Sequence, residues 1–297
     1  MYPAHTEPAP GVSVVVPCYD EELAVAETVR RIEAALDDVP HASELIVVDD
    51  GSRDGSSAIL AECRLRWERV RVIAHENNRG YGAALKSGIS AARYDRIVIA
   101  DADGTYPLER IPELIDRLDR VDMVVGSRTG AKVETPWVRR PAKWALLRYG
   151  CLMSGADIED INSGLRAVRL ETLRRFWPLL PDTFSFTTTI TLSCHLEGLA
   201  VEYVPIDYFR RVGRSSLRPI QDTWRIFRQV FRTVRRLRPF RALAFVGAAA
   251  LAAVLLGVGA ASTWGDAPPG ALAALGVASA ALLAGLVGDL LQARRTA

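Results

Sequence analysis

The sequence predicts an α/β chain: an open, mostly parallel sheet with helices on both faces, then an amphipathic helix and a two-helix membrane hairpin. Three observations carry this. Short runs of apolar, β-branched residues alternate with segments whose apolar positions recur at helical spacing, joined by short loops. Several of those runs end in acidic loops, where open α/β sheets bind ligands. Two long uncharged stretches close the chain.

Residues 1–10 are polar and proline-containing, lack the apolar core of a secretory signal, and read as a loose tail. Residues 12–16 form an apolar run closed by Pro17, and Val25, Val29, Ile32 and Leu36 then recur at helical spacing. A second run at 44–48 leads into Asp49-Asp50-Gly51-Ser52, and a helix follows to about Trp67. A third strand is expected at 70–74, before Asn78-Arg79-Gly80-Tyr81-Gly82 opens a helix to about Ala92. Ile97-Val98-Ile99-Ala100 then delivers Asp101-Ala102-Asp103-Gly104 to the sheet edge. Two carboxylates one residue apart suit a hard divalent cation, although Asp and Gly also mark an ordinary strand-to-turn junction. A helix near 108–118 and a strand at 122–125 complete the pattern.

Charge is distributed unevenly. The chain has a formal net charge of +2, yet eleven arginines and one acid, Asp222, lie between Phe209 and Arg241, which leaves the remainder at −8. Such a basic segment meets anions, either nucleic acid or acidic lipid headgroups. Within it Ile220, Trp224, Phe227, Phe231 and Val234 define one apolar face, and Arg225, Arg228, Arg232, Arg235 and Arg236 fill the rest. This is a basic amphipathic helix suited to the headgroup plane.

Next come 24 uncharged residues between Arg241 and Asp266, and 22 between Asp266 and Asp289. Each is long enough for a bilayer core, which takes about 20 residues as a helix. Buried helices of a soluble domain are the competing reading. The short link carries Trp264 but no Lys or Arg, and arginines flank both spans, so the positive-inside rule puts both termini in the cytoplasm. Neighbouring spans make lipid, not nucleic acid, the expected partner. Gly247, Gly257, Gly276 and Gly285 would allow close helix packing, within one chain or in a homo-oligomer. The four cysteines have neither metal-site nor disulfide-framework spacing.

The first strand lacks a following G-x-G-x-x-G, and no G-x-x-x-x-G-K-[ST] occurs, so neither dinucleotide nor P-loop binding fits. An acidic edge would also repel a nucleotide's phosphates unless a metal intervened.

The ordered series Val14-Val15-Val16-Pro17, Val47-Val48-Asp49-Asp50-Gly51-Ser52, Asn78-Arg79-Gly80-Tyr81-Gly82, Asp101-Ala102-Asp103 and Gly126-Ser127-Arg128 resembles family 2 glycosyltransferases of the GT-A fold. More narrowly it is similar to dolichol- and polyprenyl-phosphate sugar synthases. The resemblance divides the chain into a GT-A domain at 11–217, an amphipathic juxtamembrane helix at 218–241, two spans at 242–290 and a cytoplasmic tail at 291–297. It implies an inverting enzyme that moves a hexose-type sugar from a UDP- or GDP-sugar to polyprenyl or dolichyl phosphate, with Mg²⁺ or Mn²⁺, at the inner face of the cell membrane. A glycan-extending enzyme and a non-catalytic nucleotide-sugar-binding membrane protein are the alternatives.

By resemblance, Pro17, Tyr19, Glu21, Asp49, Asp50, Gly80 and Lys86 serve the nucleotide sugar, together with Asp101, Ala102 and Asp103. Asp103, with Asp101, holds the metal, and Arg210 joins them as a catalytic group. Arg128, Arg139, Arg140, Ser163, Arg211 and Arg214 serve the lipid phosphate. The chain departs from the family pattern at Thr105, Leu165, Ser216 and Lys143, and in Phe186-Thr187-Thr188-Thr189, where relatives tend to carry a carboxylate. An anionic acceptor needs no strong general base, which accommodates the last departure.

Overall fold

The computed structural model describes residues 8–134, 140–213, 219–262 and 271–296. Its centre is a seven-stranded sheet. The strands are β1 (Ala9–Cys18), β2 (Ser43–Asp49), β3 (Val70–Ala74), β4 (Tyr94–Ile99), β5 (Met123–Ser127), β6 (Arg166–Arg169) and β7 (Val201–Pro205). Their order across the sheet is β3-β2-β1-β4-β6-β5-β7. All neighbouring pairs are parallel except those of β6, which runs antiparallel to β4 and β5. The ends of β1, β2, β4, β5 and β7 therefore meet the start of β6 on one edge.

Alternation of side chains explains the core. Val12, Val14 and Val16 face one layer, built with α1 (Val25–Leu36) and α4 (Ile111–Leu118). Val15, Ile97 and Ile99 face the other, built with α3 (Tyr81–Ala91) and α7 (Phe186–Leu196). Because β1 is covered on both faces, it reads as a nearly continuous apolar run. Helix α3 lies close on it: a Cβ on Gly88 would stand 2.4 Å from Val15 Cγ1. The helix α2 (Ser56–Arg66) follows β2, and α6 (Leu170–Phe176) follows β6.

The chain joins the sheet earlier than the sequence suggests. Ala9 N–H donates to Arg93 O at 3.0 Å, so the stretch read as a tail already contributes its last residues to β1.

The C-terminal third brings a larger correction. Helix α8 (Pro219–Leu237) does present one apolar face, but that face turns inward. Val230 and Val234 are buried against α5 (Arg140–Ser154) and α7, with Phe227 and Phe231 packed beside them. Tyr149 of α5 meets Phe227 at 5.1 Å between ring centroids. Trp224 stays exposed, as do Arg225, Arg228, Arg232, Arg235 and Arg236. The face covers Leu192 and Leu196 of α7 and Met153 of α5, and such burial stabilises by about 25 cal/mol per Å² of apolar surface removed from water. Arg238 closes the joint by donating to Leu196 O, at 3.0 Å and 2.8 Å, at the C-terminus of α7.

Helices α9 (Pro239–Ser262) and α10 (Ala271–Thr296) pack antiparallel. A Cβ on Gly247 would lie 2.5 Å from Leu282 N, and one on Gly285 2.2 Å from Ala244 N, so both positions permit near contact of backbones. Gly276 faces open space, and the Gly257 position lies outside the described part of its helix face. Arg241 Nε meets Asp289 Oδ2 at 2.8 Å, and its Nη1 donates to Ser154 O, joining α9, α10 and α5. Among the described residues one helical stretch, Pro239–Leu256, is long and apolar enough to cross a membrane; the apolar run in α10, Ala274–Asp289, is shorter. Of the two expected spans, α9 thus carries a stretch of that length and α10 a shorter apolar run among the described residues.

Candidate active site

The first two strand ends are stitched together by side chains. Asp20 N–H donates to Ser52 Oγ (3.1 Å), Arg53 N–H to Asp20 Oδ1 (2.7 Å) and Glu21 N–H to Ser56 Oγ (2.9 Å). Asp20 takes a positive φ of 52°, a conformation that Asp tolerates better than most side chains. Asp49 accepts Ser52 N–H at 2.9 Å and the Ser57 hydroxyl. Beside it a cavity of about 350 Å³ is lined by Asp49, Ser52, Ser57, His75, Asn77 and Asn78. A larger cleft, about 660 Å³, lies at the opposite sheet edge, where Arg69 pairs with Asp37 and Arg71 with Glu44, both at 2.6 Å. The catalytic motifs lie far from it.

Asp50 faces inward. Its carboxylate meets His75 Nδ1 at 2.6 Å and accepts the N–H groups of Arg79 (3.0 Å) and Gly80 (2.7 Å), while His75 Nε2 meets Ser87 Oγ at 2.8 Å. This relay fixes the loop that opens α3. Gly80 has φ 103°, and a Cβ there would strike Asp182 O at 2.6 Å, so the position requires glycine. No sequence motif marks His75 or Ser87. Lys86 is held by Asp182 at 2.7 Å, away from the acidic pair.

Strand β4 delivers that pair. Asp101 Oδ1 accepts the Tyr81 hydroxyl at 2.8 Å, Ala102 is buried, and Asp103 Oδ1 takes the Thr105 N–H (3.1 Å) and hydroxyl (2.6 Å). Thr105 thus orients Asp103. Glu21 approaches from β1, and Arg211 stands between the acids: its Nη1 is 3.3 Å from Asp103 Oδ2, and its Nη2 donates to Glu21. Sequence reasoning set Arg211 on the acceptor; the structure puts it on the acidic pair. Phe209 N–H to Thr105 O (2.9 Å) and Val212 N–H to Asp103 O (3.2 Å) fasten its segment there.

The electrostatics report a dry, over-charged basin. Burial, then repulsion from Asp103, pushes the Asp101 carboxyl up to about 6. Burial raises Glu21 to about 8; Arg211 opposes this, while Asp103 and Asp101 add to it. Such a donor set, oxygen-only and short of positive charge, fits a hard divalent cation. Among the described residues no three such side chains form a ready-made cage.

The neighbouring wall is electrostatically opposite. Arg128 makes a two-pronged pair with Asp160, Nε to Oδ2 and Nη2 to Oδ1, each 2.7 Å, and Nη2 also reaches Asn162 Oδ1 at 2.6 Å. Burial works to raise Asp160, but Arg128 outweighs it and holds the carboxyl down at about 2. Lys143 Nζ stands 4.0 Å from the same carboxylate, and burial followed by Arg128 lowers its pKa. The Arg128 guanidinium lies over the Tyr208 ring at 5.3 Å. Ser163 is fully buried and donates to Gly126 O at 2.6 Å, so it builds the wall. Arg140 and Arg210 are exposed at the rim, and Pro17 and Tyr19 border the β1 end. Arg139 and Arg214 lie outside the described residues.

A parallel sheet with one reversed strand, carrying an Asp-x-Asp pair at its ligand edge, defines a nucleotide-sugar-binding GT-A fold. The model of glycosyl transferase family 2 matches residues 13–175, and the chain belongs to that family. Its relatives are undecaprenyl-phosphate sugar transferases. It is 34% identical over 199 residues to an undecaprenyl-phosphate 4-deoxy-4-formamido-L-arabinose transferase of Pseudomonas fluorescens, covering 63% of this chain and 58% of that protein. It is 30% identical over 262 residues to the transferase of the same description from Pseudomonas syringae, covering 83% and 71%. The chain thus spans about three-fifths of the length of the first of these relatives. In fold it is similar to glucosyl-3-phosphoglycerate synthase from Mycobacterium tuberculosis, solved with Mn²⁺, UDP-glucose and phosphoglyceric acid: TM-score 0.56, 24% identity, 77% of this chain and 79% of that one.

Proposed function

We infer that this protein transfers a sugar from a nucleotide diphosphate to a polyprenyl phosphate at the cytoplasmic face of the cell membrane. The observation that carries the reading is the pairing of an under-neutralised acidic basin, Glu21, Asp101 and Asp103, with an adjoining basic wall, Arg128 and Lys143. The basin suits a metal-bound diphosphate and the wall suits the acceptor's phosphate. Asp103 Oδ2 and Asp101 would hold Mg²⁺ or Mn²⁺, which when bound neutralises charge on the leaving diphosphate.

An acceptor phosphate oxygen attacks the anomeric carbon, and the bond to the diphosphate breaks from the opposite face, with inversion. The acceptor is anionic near neutral pH, so no residue need remove a proton. The stretch from Phe186 to Thr189 accords with this: Thr187, Thr188 and Thr189 are buried, and the Thr189 hydroxyl is committed to Ser185 O at 2.8 Å. Arg128 and Lys143 orient the phosphate, Asp50 fixes the Gly80 loop beside the donor, and the cavity beside Asp49 receives the base. Helix α9 would cross the bilayer and α10 return, with the Arg241–Asp289 pair at their cytoplasmic ends.

The test is transfer by the purified, detergent-solubilised chain with Mn²⁺ and polyprenyl phosphate. Donors are a panel of UDP- and GDP-hexoses plus nucleotide-linked 4-deoxy-4-formamido-L-arabinose, the sugar of the relatives. A lipid-linked product abolished by chelator is expected; product on a saccharide acceptor alone would overturn the reading.

A further inference from the structure

We propose that Arg211 is the resident counter-cation of the acidic pair, holding Asp103 and Glu21 until a divalent cation and the donor diphosphate displace it together. The inference rests on the metal reading above and adds an exchange to it.

Three observations carry it. First, Arg211 occupies both acids at once, with Nη1 3.3 Å from Asp103 Oδ2 and Nη2 on Glu21. Asp103 Oδ1 is already taken by Thr105, so Oδ2 is the oxygen left for a metal, and Arg211 covers it. Second, the placement is built into the backbone: Phe209 and Val212 N–H groups clip the segment to Thr105 O and Asp103 O, one on each side of Arg211. Third, Arg211 Nε is buried without a hydrogen-bond partner among the described residues. Such a donor costs free energy in this setting and gains a partner when an anion arrives.

The consequence is a linkage. A divalent cation alone must compete with a guanidinium for Asp103 and leave that guanidinium without acids. When a diphosphate is also present, the displaced Arg211 has an anion whose oxygens its planar, two-pronged guanidinium can bind. Metal and nucleotide diphosphate should therefore bind with positive coupling, and the coupling must be reciprocal. Without donor the edge stays closed by its own arginine.

The experiment measures Mn²⁺ binding to the full detergent-solubilised chain by the loss of the free Mn²⁺ electron paramagnetic resonance signal, with and without UDP. Wild type, Arg211→Gln, Arg211→Lys and Asp103→Asn are compared. In wild type UDP should tighten Mn²⁺ binding by roughly tenfold or more, within the usual range of coupling energies. Arg211→Gln should bind Mn²⁺ more tightly than wild type without UDP, by a similar factor, and lose most of the coupling. A damaged fold would not produce that gain. Arg211→Lys keeps the charge but not the planar fork and should fall between the two. Lys behaving as wild type would overturn the bridge in favour of a simple field of charge. Equal Mn²⁺ affinity in wild type and Arg211→Gln, with UDP still recruiting Mn²⁺ through Asp103, would overturn the exchange while the metal reading stands. No Mn²⁺ bound with UDP present would overturn both.

Discussion

Two carboxylates of this sheet edge, the half-buried Asp101 and the buried Asp160, end in opposite electrostatic states. Asp160 has a guanidinium clamped across both oxygens and is held at about 2. Asp101 has a tyrosine hydroxyl and a second carboxylate for neighbours and is pushed up to about 6. The two acids are of one residue type and both sit in loops at strand termini, so the difference comes from their partners. A paired acid is part of the wall. A crowded acid is a place that favours a cation.

The largest expected effect is on activity. Asp103→Asn should lower sugar transfer by about 10³-fold, roughly 4 kcal/mol of barrier, with little change in thermal unfolding. A large loss of stability would make Asp103 a wall residue and break the contrast. Asp160→Asn should do the reverse first. It leaves Arg128 buried and unpaired, a change that costs about 3–5 kcal/mol in other proteins and should appear as a lowered denaturation midpoint.

The same pair predicts a pH limb. The folded pKa of Asp160 is depressed below its unfolded value near 3.9, so its contribution is present above about pH 4 and is lost as pH falls toward 2. Denaturant titrations of wild type should show that acid limb, and those of Asp160→Asn should lack it. A smaller change is His75→Ala. Freeing one side of Asp50 should cost about 1–3 kcal/mol and raise the KM for donor more than it lowers kcat, because the Gly80 loop loses its tether. The smallest concerns the exposed Trp224, whose replacement by Ala should shift stability by less than about 0.5 kcal/mol in detergent.

Much of the donor side is legible in the sequence because strands announce it. The run Ile97-Val98-Ile99-Ala100 is buried on both faces, and its apolar character stops where Asp101 reaches the edge. The β1 and β2 ends read the same way. The acceptor side is less legible, because β6 is Arg-Ala-Val-Arg and does not look like a buried strand. Its Arg166 is fully buried, giving its hydrogens to Ser163 O, Thr187 O (3.1 Å) and the Thr191 hydroxyl (2.8 Å). No local pattern encodes a guanidinium satisfied by neutral oxygens from another helix. The contacts of Ser163 and Arg211 are not legible for the same reason: their partners, Gly126 and Glu21, are distant in sequence. Helix α8 shows the limit of an amphipathic pattern, which states that one face is covered but not by what.

The reversal of β6 sets a spacing. Because the chain enters β6 from the ligand edge, residues 160–165 are the lead-in to a strand and are pinned at both ends, by Arg128 on Asp160 and by Ser163 on Gly126 O. Directly after the second pin, Gly164 lies so near the acidic pair that a Cβ would stand 2.2 Å from Asp101 Oδ2. The lead-in thus works as a gauge block between basic wall and acidic basin. Most surface loops tolerate an added residue, but one added here would change the gap between the basic wall and the acidic basin.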